Sequence, residues 1–245
     1  MELVILGTGG VRAPPHRAAC GYLVRHEGFT LWLDAGTGTM ANLQEHVALT
    51  EVDAVLISHR HFDHFLDIYP FYLARWLHPD PLPKLPLFLP PGTFDHISQL
   101  EPGLGEVFEP HAVELGASIE VGPLRVRTAG MAHPVPTLGA RIEAGGAALA
   151  YSADSGPNDR LVDLAEGADV LLCEATWLRR PGGAPIELHL TAAETGEHAA
   201  RANVGALWLT HVWPAIDRAD ALAEASRTNA GGETHIAEEG LVIEL

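Results

Sequence analysis

One cluster of potential metal ligands constrains this chain more than any other feature. The segment SHRHFDH, residues 58–64, places four such side chains within six residues. It directly follows the apolar run 53–58, which is typical of a buried β-strand. Imidazole nitrogens and carboxylate oxygens suit zinc, and manganese and iron also accept them. The spacing predicts that His59 and His61 bind one ion and that Asp63 and His64 bind a second.

The charge balance excludes broad classes of partner. The chain has 245 residues, with 15 Lys and Arg against 32 Asp and Glu, so its net charge is −17, and Lys84 is its only lysine. Proteins that bind extended nucleic acid gain affinity from basic stripes that displace counterions. We therefore expect neither extended nucleic acid nor a membrane surface as a partner. A small anionic substrate stays compatible, because metal ions can supply the positive charge.

Length and composition favour a globular protein. Hydrophobic residues make up 47% of the chain and charged residues 19%, as in folded domains. At this length we expect residues 1–245 to form a single domain. Cys20 and Cys173 form no C-x-x-C motif and no disulfide framework. No signal-peptide pattern and no run of 18 apolar residues is found, so we expect a cytoplasmic protein.

Apolar runs that alternate with turns predict a mixed α/β fold. A helix over 191–202 begins with a capping-box pattern, in which Glu194 follows Thr191 by three residues. Residues 79–91 contain six prolines, which predicts a rigid connector or a lid without regular structure. Further strands are expected at residues 3–7, 21–25, 29–36, 118–128, 139–143, 147–152, 169–173 and 206–210, and further helices at 39–48, 67–77 and 217–227.

The H-x-H-x-D-H motif after a hydrophobic strand resembles the metallo-β-lactamase superfamily. The later motifs of that superfamily occur in the same order along the chain, so the resemblance covers essentially all of it. They are Asp34 in LWLDAG, His133 in MAHPVPTLGAR, Asp154 in LAYSADSG and His211 in LWLTHVW. The resemblance implies an α/β fold of the αββα type, a sandwich of two mixed β-sheets flanked by helices, with the metals at one edge.

The resemblance also implies a role for each matched residue. Two divalent ions would share one bridging aspartate and activate a water molecule as the nucleophile. Zinc is the metal expected first, with manganese or iron as alternatives. Asp34 would orient ligands through hydrogen bonds, and Asp63 would help to orient the water. The first ligand set would be His59, His61, His133 and Asp154, and the second would be Asp63, His64, Asp154 and His211.

A second pair of motifs narrows the chemistry. CEAT at 173–176 and LHLT at 188–191 resemble paired motifs of ribonuclease Z-like phosphodiesterases, in which the glutamate orients the histidine and the histidine protonates the leaving oxygen. An alkoxide leaves poorly, so such a proton donor is worth about 10²–10⁴-fold in rate. Glu174 and His189 are therefore candidate catalytic residues. The alternative is that Glu174 merely ends a buried strand and His189 merely precedes a helix cap.

Motif spacing separates substrate classes within this branch. Ribonucleases Z of the long-arm type insert a tRNA-gripping arm where this chain has only residues 134–153. The chain is therefore more similar to cyclic-nucleotide phosphodiesterases that lack the arm. We predict a binuclear metal-dependent phosphodiesterase for a small phosphodiester such as a cyclic nucleotide, with a homodimer as one option. The alternatives are a ribonuclease Z-type tRNA 3′-end endonuclease, a lactonase or thioesterase of the same fold, and a non-catalytic metal-binding protein.

Overall fold

Two seven-stranded β-sheets with helices on their outer faces make up the computed structural model, which describes residues 1–180, 182 and 188–245. The strands are β1 (Glu2–Gly7), β2 (Gly21–His26), β3 (Phe29–Ala35), β4 (Ala54–Leu56), β5 (Leu85–Leu89), β6 (Phe108–Ala112), β7 (Ser118–Val121), β8 (Leu124–Gly130), β9 (Leu138–Ala144), β10 (Ala147–Tyr151), β11 (Val170–Glu174), β12 (Ala206–Thr210), β13 (Glu233–Ile236) and β14 (Val242–Glu244).

The helices connect these strands and are short. None in the described part of the chain is long and apolar enough to cross a bilayer. They are α1 (Thr39–Leu43), α2 (Phe62–Phe65), α3 (Ile68–Trp76), α4 (Thr93–Ile97), α5 (Leu104–Val107), α6 (Asp159–Ala165), α7 (Ala192–Ala202) and α8 (Arg218–Thr228), with a 3₁₀ turn at Leu49–Glu51.

Each sheet is half antiparallel and half parallel. The strand order is β14-β1-β2-β3-β4-β5-β6 in the first sheet and β13-β12-β11-β10-β9-β8-β7 in the second. Strands β3 to β6 run parallel in the first sheet, and β10 to β13 run parallel in the second. The other neighbours are antiparallel. Parallel neighbours need crossover connections, and the helices lie in these connections.

Apolar side chains form three layers that hold the sheets and helices together. Between the sheets, residues such as Ile5 of β1 and Leu172 of β11 are fully buried. On the outer face of the first sheet, the rings of Trp32 and Phe71 lie 5.2 Å apart in an edge contact between β3 and α3. On the outer face of the second sheet, Leu207 of β12 lies in a core shared with α6 to α8. The predicted αββα sandwich of mixed sheets is confirmed.

The prediction that the proline-rich segment 79–91 has no regular structure is wrong, because β5 lies within it. Its side chains alternate between buried and half-buried, which marks a strand with one face in the core. The carbonyl of Phe88 accepts from the N–H of Ile57, the residue directly after β4, so the backbone of the alternate residue Pro86 also faces β4. The β4 pairing begins only at Leu87, so the missing N–H of Pro86 breaks no bond to that strand.

Other boundaries also differ from the predictions. The helix predicted over 39–48 ends at Leu43, because the next amides bond three residues back, as in a 3₁₀ turn. The strand predicted over 118–128 is a hairpin of β7 and β8, with Gly122 in the left-handed region at φ +57°. Strand β6 was not predicted; it pairs with β5 at the edge of the first sheet.

The capping box of α7 is confirmed, and Thr191→Ala tests its weight. The Thr191 hydroxyl accepts from the Glu194 N–H at 3.2 Å, and the Glu194 carboxylate accepts from the Thr191 N–H at 2.8 Å. We expect the substitution to lower the free energy of unfolding by about 1 kcal/mol, measured by urea denaturation. The exposed Thr50 offers a control, since Thr50→Ala should change stability by less than about 0.5 kcal/mol. Equal losses in the two variants would contradict the capping role.

Candidate metal centre

The candidate site lies at one edge of the sandwich, where strands that run in the same direction end. Strand β8 is antiparallel to β9, as β10 is, so β8 and β10 end at the same edge. The carboxyl ends of such strands are where loops bring distant residues together. The site residues occupy these ends: Asp34 within β3, His59 after β4, His133 after β8, Asp154 after β10, Glu174 at the end of β11 and His211 after β12.

The first group of side chains is His59, His61, His133 and Asp154, whose ligand atoms all lie within 4.8 Å of one another. His61 Nδ1 lies 3.0 Å from His133 Nε2, and His59 Nε2 lies 3.5 Å from Asp154 Oδ2. His133 donates from Nδ1 to the carbonyl of Leu188 at 2.9 Å, which leaves its Nε2 for a metal. Three imidazoles and a carboxylate at this spacing fit one divalent ion.

The second group is built by the short helix α2 together with two strand ends. Asp63 and His64 lie in α2, so they face a different direction from His59 and His61 in the loop before it. Asp63 Oδ2 lies 3.3 Å from His211 Nε2 and 3.7 Å from His64 Nε2.

The carboxylate of Asp154 lies between the two groups. Its Oδ1 is 3.2 Å from His64 Nε2 and 3.3 Å from His211 Nε2. Its Oδ2 is 3.5 Å from His59 Nε2 and 3.8 Å from His133 Nε2. Each oxygen therefore faces one group, which is the arrangement that a carboxylate shared by two ions requires.

Polar atoms without partners test whether metal ions fit here. His59 Nε2, His64 Nε2 and Asp154 Oδ1 are buried and have no hydrogen-bond partner among the described residues. Leaving such a group unsatisfied costs about 1–3 kcal/mol. A cation beside each atom would satisfy all three, so the residues present fit two divalent ions.

The pKa shifts of His59, His133 and Asp154 favour cation binding. Burial is the main cause that lowers the pKa of His59 to about 3 and that of His133 to about 4. Both rings are therefore neutral at pH 7, which is the form that binds a metal. Burial disfavours the charge of Asp154, but the surrounding histidines, His211 first, hold the pKa of this carboxyl well below its ordinary value. Asp154 is therefore ionised.

Asp34 orients part of the second group. Its Oδ2 accepts from His64 Nδ1 at 2.8 Å and from the hydroxyls of Ser58 and Tyr151 at 2.7 Å, and its Oδ1 accepts from the Ser58 N–H at 2.6 Å. Because His64 donates from Nδ1, its Nε2 carries no proton when the ring is neutral and faces Asp154. These contacts agree with the orienting role that the resemblance implied for Asp34.

Three residues at the strand ends of the site have strained backbones. Asp34, Ala153 and His211 have φ values of +56°, +49° and +53°, in the left-handed region that disfavours side chains other than glycine. Such conformations cost about 1–3 kcal/mol each and persist where the surroundings enforce them, most often at functional sites. Strain at these three positions therefore favours a site held for function.

Asp34→Ala should destabilise the fold strongly. It leaves the Ser58 N–H, His64 Nδ1 and the Tyr151 hydroxyl as buried donors without partners, so we expect a loss of about 3 kcal/mol or more in urea unfolding. The exposed Asp53 offers a control, because its carboxylate accepts a single backbone bond from Thr30. Asp53→Ala should cost about 0.5–1.5 kcal/mol. Comparable losses of unfolding free energy in the two variants would contradict the role of Asp34 as the acceptor for several buried donors.

Glu174 and His189 form a buried pair beside the two groups. His189 Nδ1 donates to Glu174 Oε1 at 3.0 Å, and this nitrogen lies 3.9 Å from Asp154 Oδ2. The Glu174 carboxylate also accepts from the Ser155 N–H at 2.6 Å and the Thr176 hydroxyl at 2.5 Å. These donors fix the position of the Glu174 carboxylate, and the carboxylate in turn orients the His189 ring.

The charge of His189 suits a proton donor. Burial disfavours the charged ring, but the Glu174 carboxylate, together with those of Asp154 and Asp63, outweighs that effect and raises the pKa of His189 to about 9. The ring is therefore protonated at pH 7. Since Nδ1 is bonded to Glu174, the proton available to a substrate is the one on Nε2.

Other site residues were missed by the sequence analysis. The N–H of Val11 donates to Asp63 Oδ2 at 2.6 Å, from a backbone with φ +66°. Thr176 shares a hydrogen bond with His211 Nδ1 at 2.8 Å, and its place in the CEAT motif was a usable signal. Cys20 lies against His64 and His211, but no spacing pattern marks it.

Comparisons with known proteins agree with this architecture. The β-lactamase superfamily domain matches residues 30–212. A Mycobacterium leprae protein of uncharacterized function is 35% identical, covering 100% of this chain and 89% of that protein. Ribonuclease Z of Mycolicibacterium paratuberculosis is 32% identical, and the match covers 88% of this chain and 87% of that protein. The crystal structure of the metallo-β-lactamase fold protein YhfI from Bacillus subtilis matches with a TM-score of 0.90 at 27% identity, covering 99% of each chain. The chain therefore belongs to the β-lactamase superfamily, as a hydrolase of the metallo-β-lactamase fold.

Proposed function

We propose that this chain is a two-metal phosphodiesterase that cleaves a small phosphodiester such as a cyclic nucleotide. The observation that carries the proposal is the Glu174–His189 pair, which lies within 4 Å of the Asp154 carboxylate. Thioester hydrolysis has less need of a separate proton donor, because a thiolate departs more readily than the alkoxide of a phosphodiester. A protonated histidine held at this place therefore favours phosphodiester chemistry.

The proposal assigns the two groups of side chains to two divalent ions. Bound there, such ions would supply an activated water nucleophile and neutralise charge on the phosphate oxygens. The nitrogen and oxygen donors suit zinc first, with manganese or iron as alternatives. The first ion would be held by His59, His61, His133 and Asp154, and the second by Asp63, His64, Asp154 and His211.

The protein side chains would then act on protons and orientation. His189 would donate its Nε2 proton to the leaving oxygen of the phosphodiester, while Glu174 holds the ring through Nδ1. Asp63 would help to orient the attacking water, and the N–H of Val11 restrains its carboxylate. A proton supplied in this way avoids the release of a free alkoxide, which is the costly part of the reaction.

Charge and loop length support a small substrate. The net charge of −17 with a single lysine disfavours a long polyanion, because counterion release requires many basic contacts. The segment between His133 and Asp154 is occupied by β9, β10 and their turn, which leaves no length for a tRNA-binding arm. A cyclic nucleotide carries one phosphate and needs neither feature.

A second candidate function is cleavage of RNA at a 3′ end. The similarity to ribonuclease Z favours it, and the same proton donor would serve that reaction. A substrate panel separates the candidates: cyclic nucleotides, precursor tRNA at physiological salt, lactones and thioesters, each with metal-loaded protein. We expect turnover of cyclic nucleotides. Turnover of precursor tRNA alone would select the endonuclease, and turnover of lactones or thioesters alone would overturn the phosphodiesterase.

Three finer expectations belong to this proposal. We expect zinc as the native metal, a homodimer as one option for the assembly, and a cytoplasmic location. Metal analysis of protein purified without added metal tests the first expectation. Light scattering during gel filtration measures the mass in solution, which is 26.2 kDa for one chain.

A further inference from the structure

The thiol of Cys20 faces the second group of proposed ligands. Cys20 Sγ, one ligand nitrogen of His64 and one of His211 all lie within 4.8 Å of one another, and all three residues are buried. We propose that Cys20 is a further ligand of the ion in the second group. The inference rests on the proposed metal centre, and it adds a sulfur donor that the first group lacks.

Hydrogen bonds identify which nitrogens face the ion. His64 Nδ1 is bonded to Asp34 at 2.8 Å, and His211 Nδ1 shares a hydrogen bond with Thr176 at 2.8 Å. The nitrogens left for a metal are therefore Nε2 on both rings. His64 Nε2 is fully buried and has no hydrogen-bond partner in the part of the chain that the structure describes. This orphaned nitrogen belongs to one of the two histidines that lie near the thiol, and it points to a bound cation rather than to ordinary core packing.

The sulfur is buried and has a hydroxyl donor beside it. Cys20 is 1% exposed, and its Sγ accepts a hydrogen bond from the Tyr22 hydroxyl at 3.5 Å. A hydroxyl donor is bound more strongly by an anionic sulfur than by a neutral one. On coordination the S–H proton would pass to solvent and the sulfur would bind as S⁻, because a coordinating thiol is deprotonated outright.

A sulfur ligand would make the two ions unequal. Thiolates select zinc, cobalt or cadmium over manganese, whereas imidazole and carboxylate ligands alone discriminate less. The ion in the second group should therefore be the more thiophilic of the two. Removing Cys20 should weaken zinc binding there by about 10-fold or more, since even outer-shell partners of a metal contribute 10- to 100-fold.

Cobalt spectroscopy tests the proposal without any activity assay. Wild type, Cys20→Ser and Cys173→Ser are loaded with Co²⁺, the bound metal is counted, and near-ultraviolet sulfur-to-cobalt charge transfer is recorded. Cys173 is the matched control, because it is the only other cysteine, is buried, and lies in none of the metal-competent groups of the described residues. We expect the band in wild type and Cys173→Ser, and its loss in Cys20→Ser with two ions still bound.

Other outcomes overturn the inference. Two bound cobalt ions without the band in wild type, a band that persists in Cys20→Ser, or one lost in Cys173→Ser would each exclude Cys20. If Cys20→Ser does not fold, Cys173→Ser decides, because a band in that variant has only Cys20 as its source. Failure to bind cobalt at all would overturn the metal centre as well, so the two failures are distinguishable.

Discussion

Replacing His189 by alanine is expected to lower kcat for a cyclic nucleotide by about 10²–10⁴-fold, because the leaving oxygen then departs without a proton. Metal content should stay at two ions per chain, since His189 is assigned to neither ion. The measurement is steady-state kinetics on metal-loaded protein, with the bound metal counted in the same samples.

The leaving group sharpens this prediction. p-Nitrophenolate departs without assistance. His189→Ala should therefore lower kcat for hydrolysis of bis(p-nitrophenyl) phosphate far less than kcat for hydrolysis of a cyclic nucleotide. His198 offers a matched control, because it is also a buried histidine, and its hydrogen bonds within the described residues are to the backbone of Glu194 and Asn158. His198→Ala should leave kcat for both substrates largely unchanged. Equal losses on the two substrates, or loss of metal from His189→Ala, would make His189 a structural residue.

Asp154→Ala is expected to remove both metal ions, because each oxygen of this carboxylate faces a different group of histidines. The affinity for metal should fall more than about 100-fold, beyond the effect of an outer-shell change. Bound metal after dialysis, measured by elemental analysis, gives the result. Hydrolysis should fall with the metal content.

Asp63→Ala provides the comparison within the same centre. Asp63 contacts His211 and His64 of the second group, so its removal should weaken one ion and leave the other bound. Retention of two ions by Asp154→Ala would contradict the shared carboxylate. Loss of both ions from Asp63→Ala would contradict the division into two groups.

Local patterns predicted most of the strands and the residues that cluster at the site. H-x-H-x-D-H places Asp63 and His64 in a short helix and His59 and His61 before it, which a spacing of a few residues can predict. His133, Asp154 and His211 meet these residues only through the pairing of distant strands. Their prediction depended on a family resemblance, since no spacing in the chain links them.

The features that were missed depend on tertiary contacts. Pro86 lies in a strand because β4 is too short to need its N–H, a fact that belongs to the neighbouring strand. The amide of Val11 reaches Asp63 across 52 positions of sequence. Cys20 lies beside His64 and His211 because β2 and β12 face each other across the sandwich, where Tyr22 and Thr210 share a hydrogen bond. None of these contacts leaves a periodic pattern.

The central claim is that two metal ions and these residues hydrolyse phosphodiesters. Its most direct test titrates metal-free protein with zinc and follows hydrolysis of bis(p-nitrophenyl) phosphate, with Asp63→Ala measured in parallel. We predict that activity rises until two ions are bound per chain and is absent from the variant. Protein that holds two ions and turns over no phosphodiester would contradict the account.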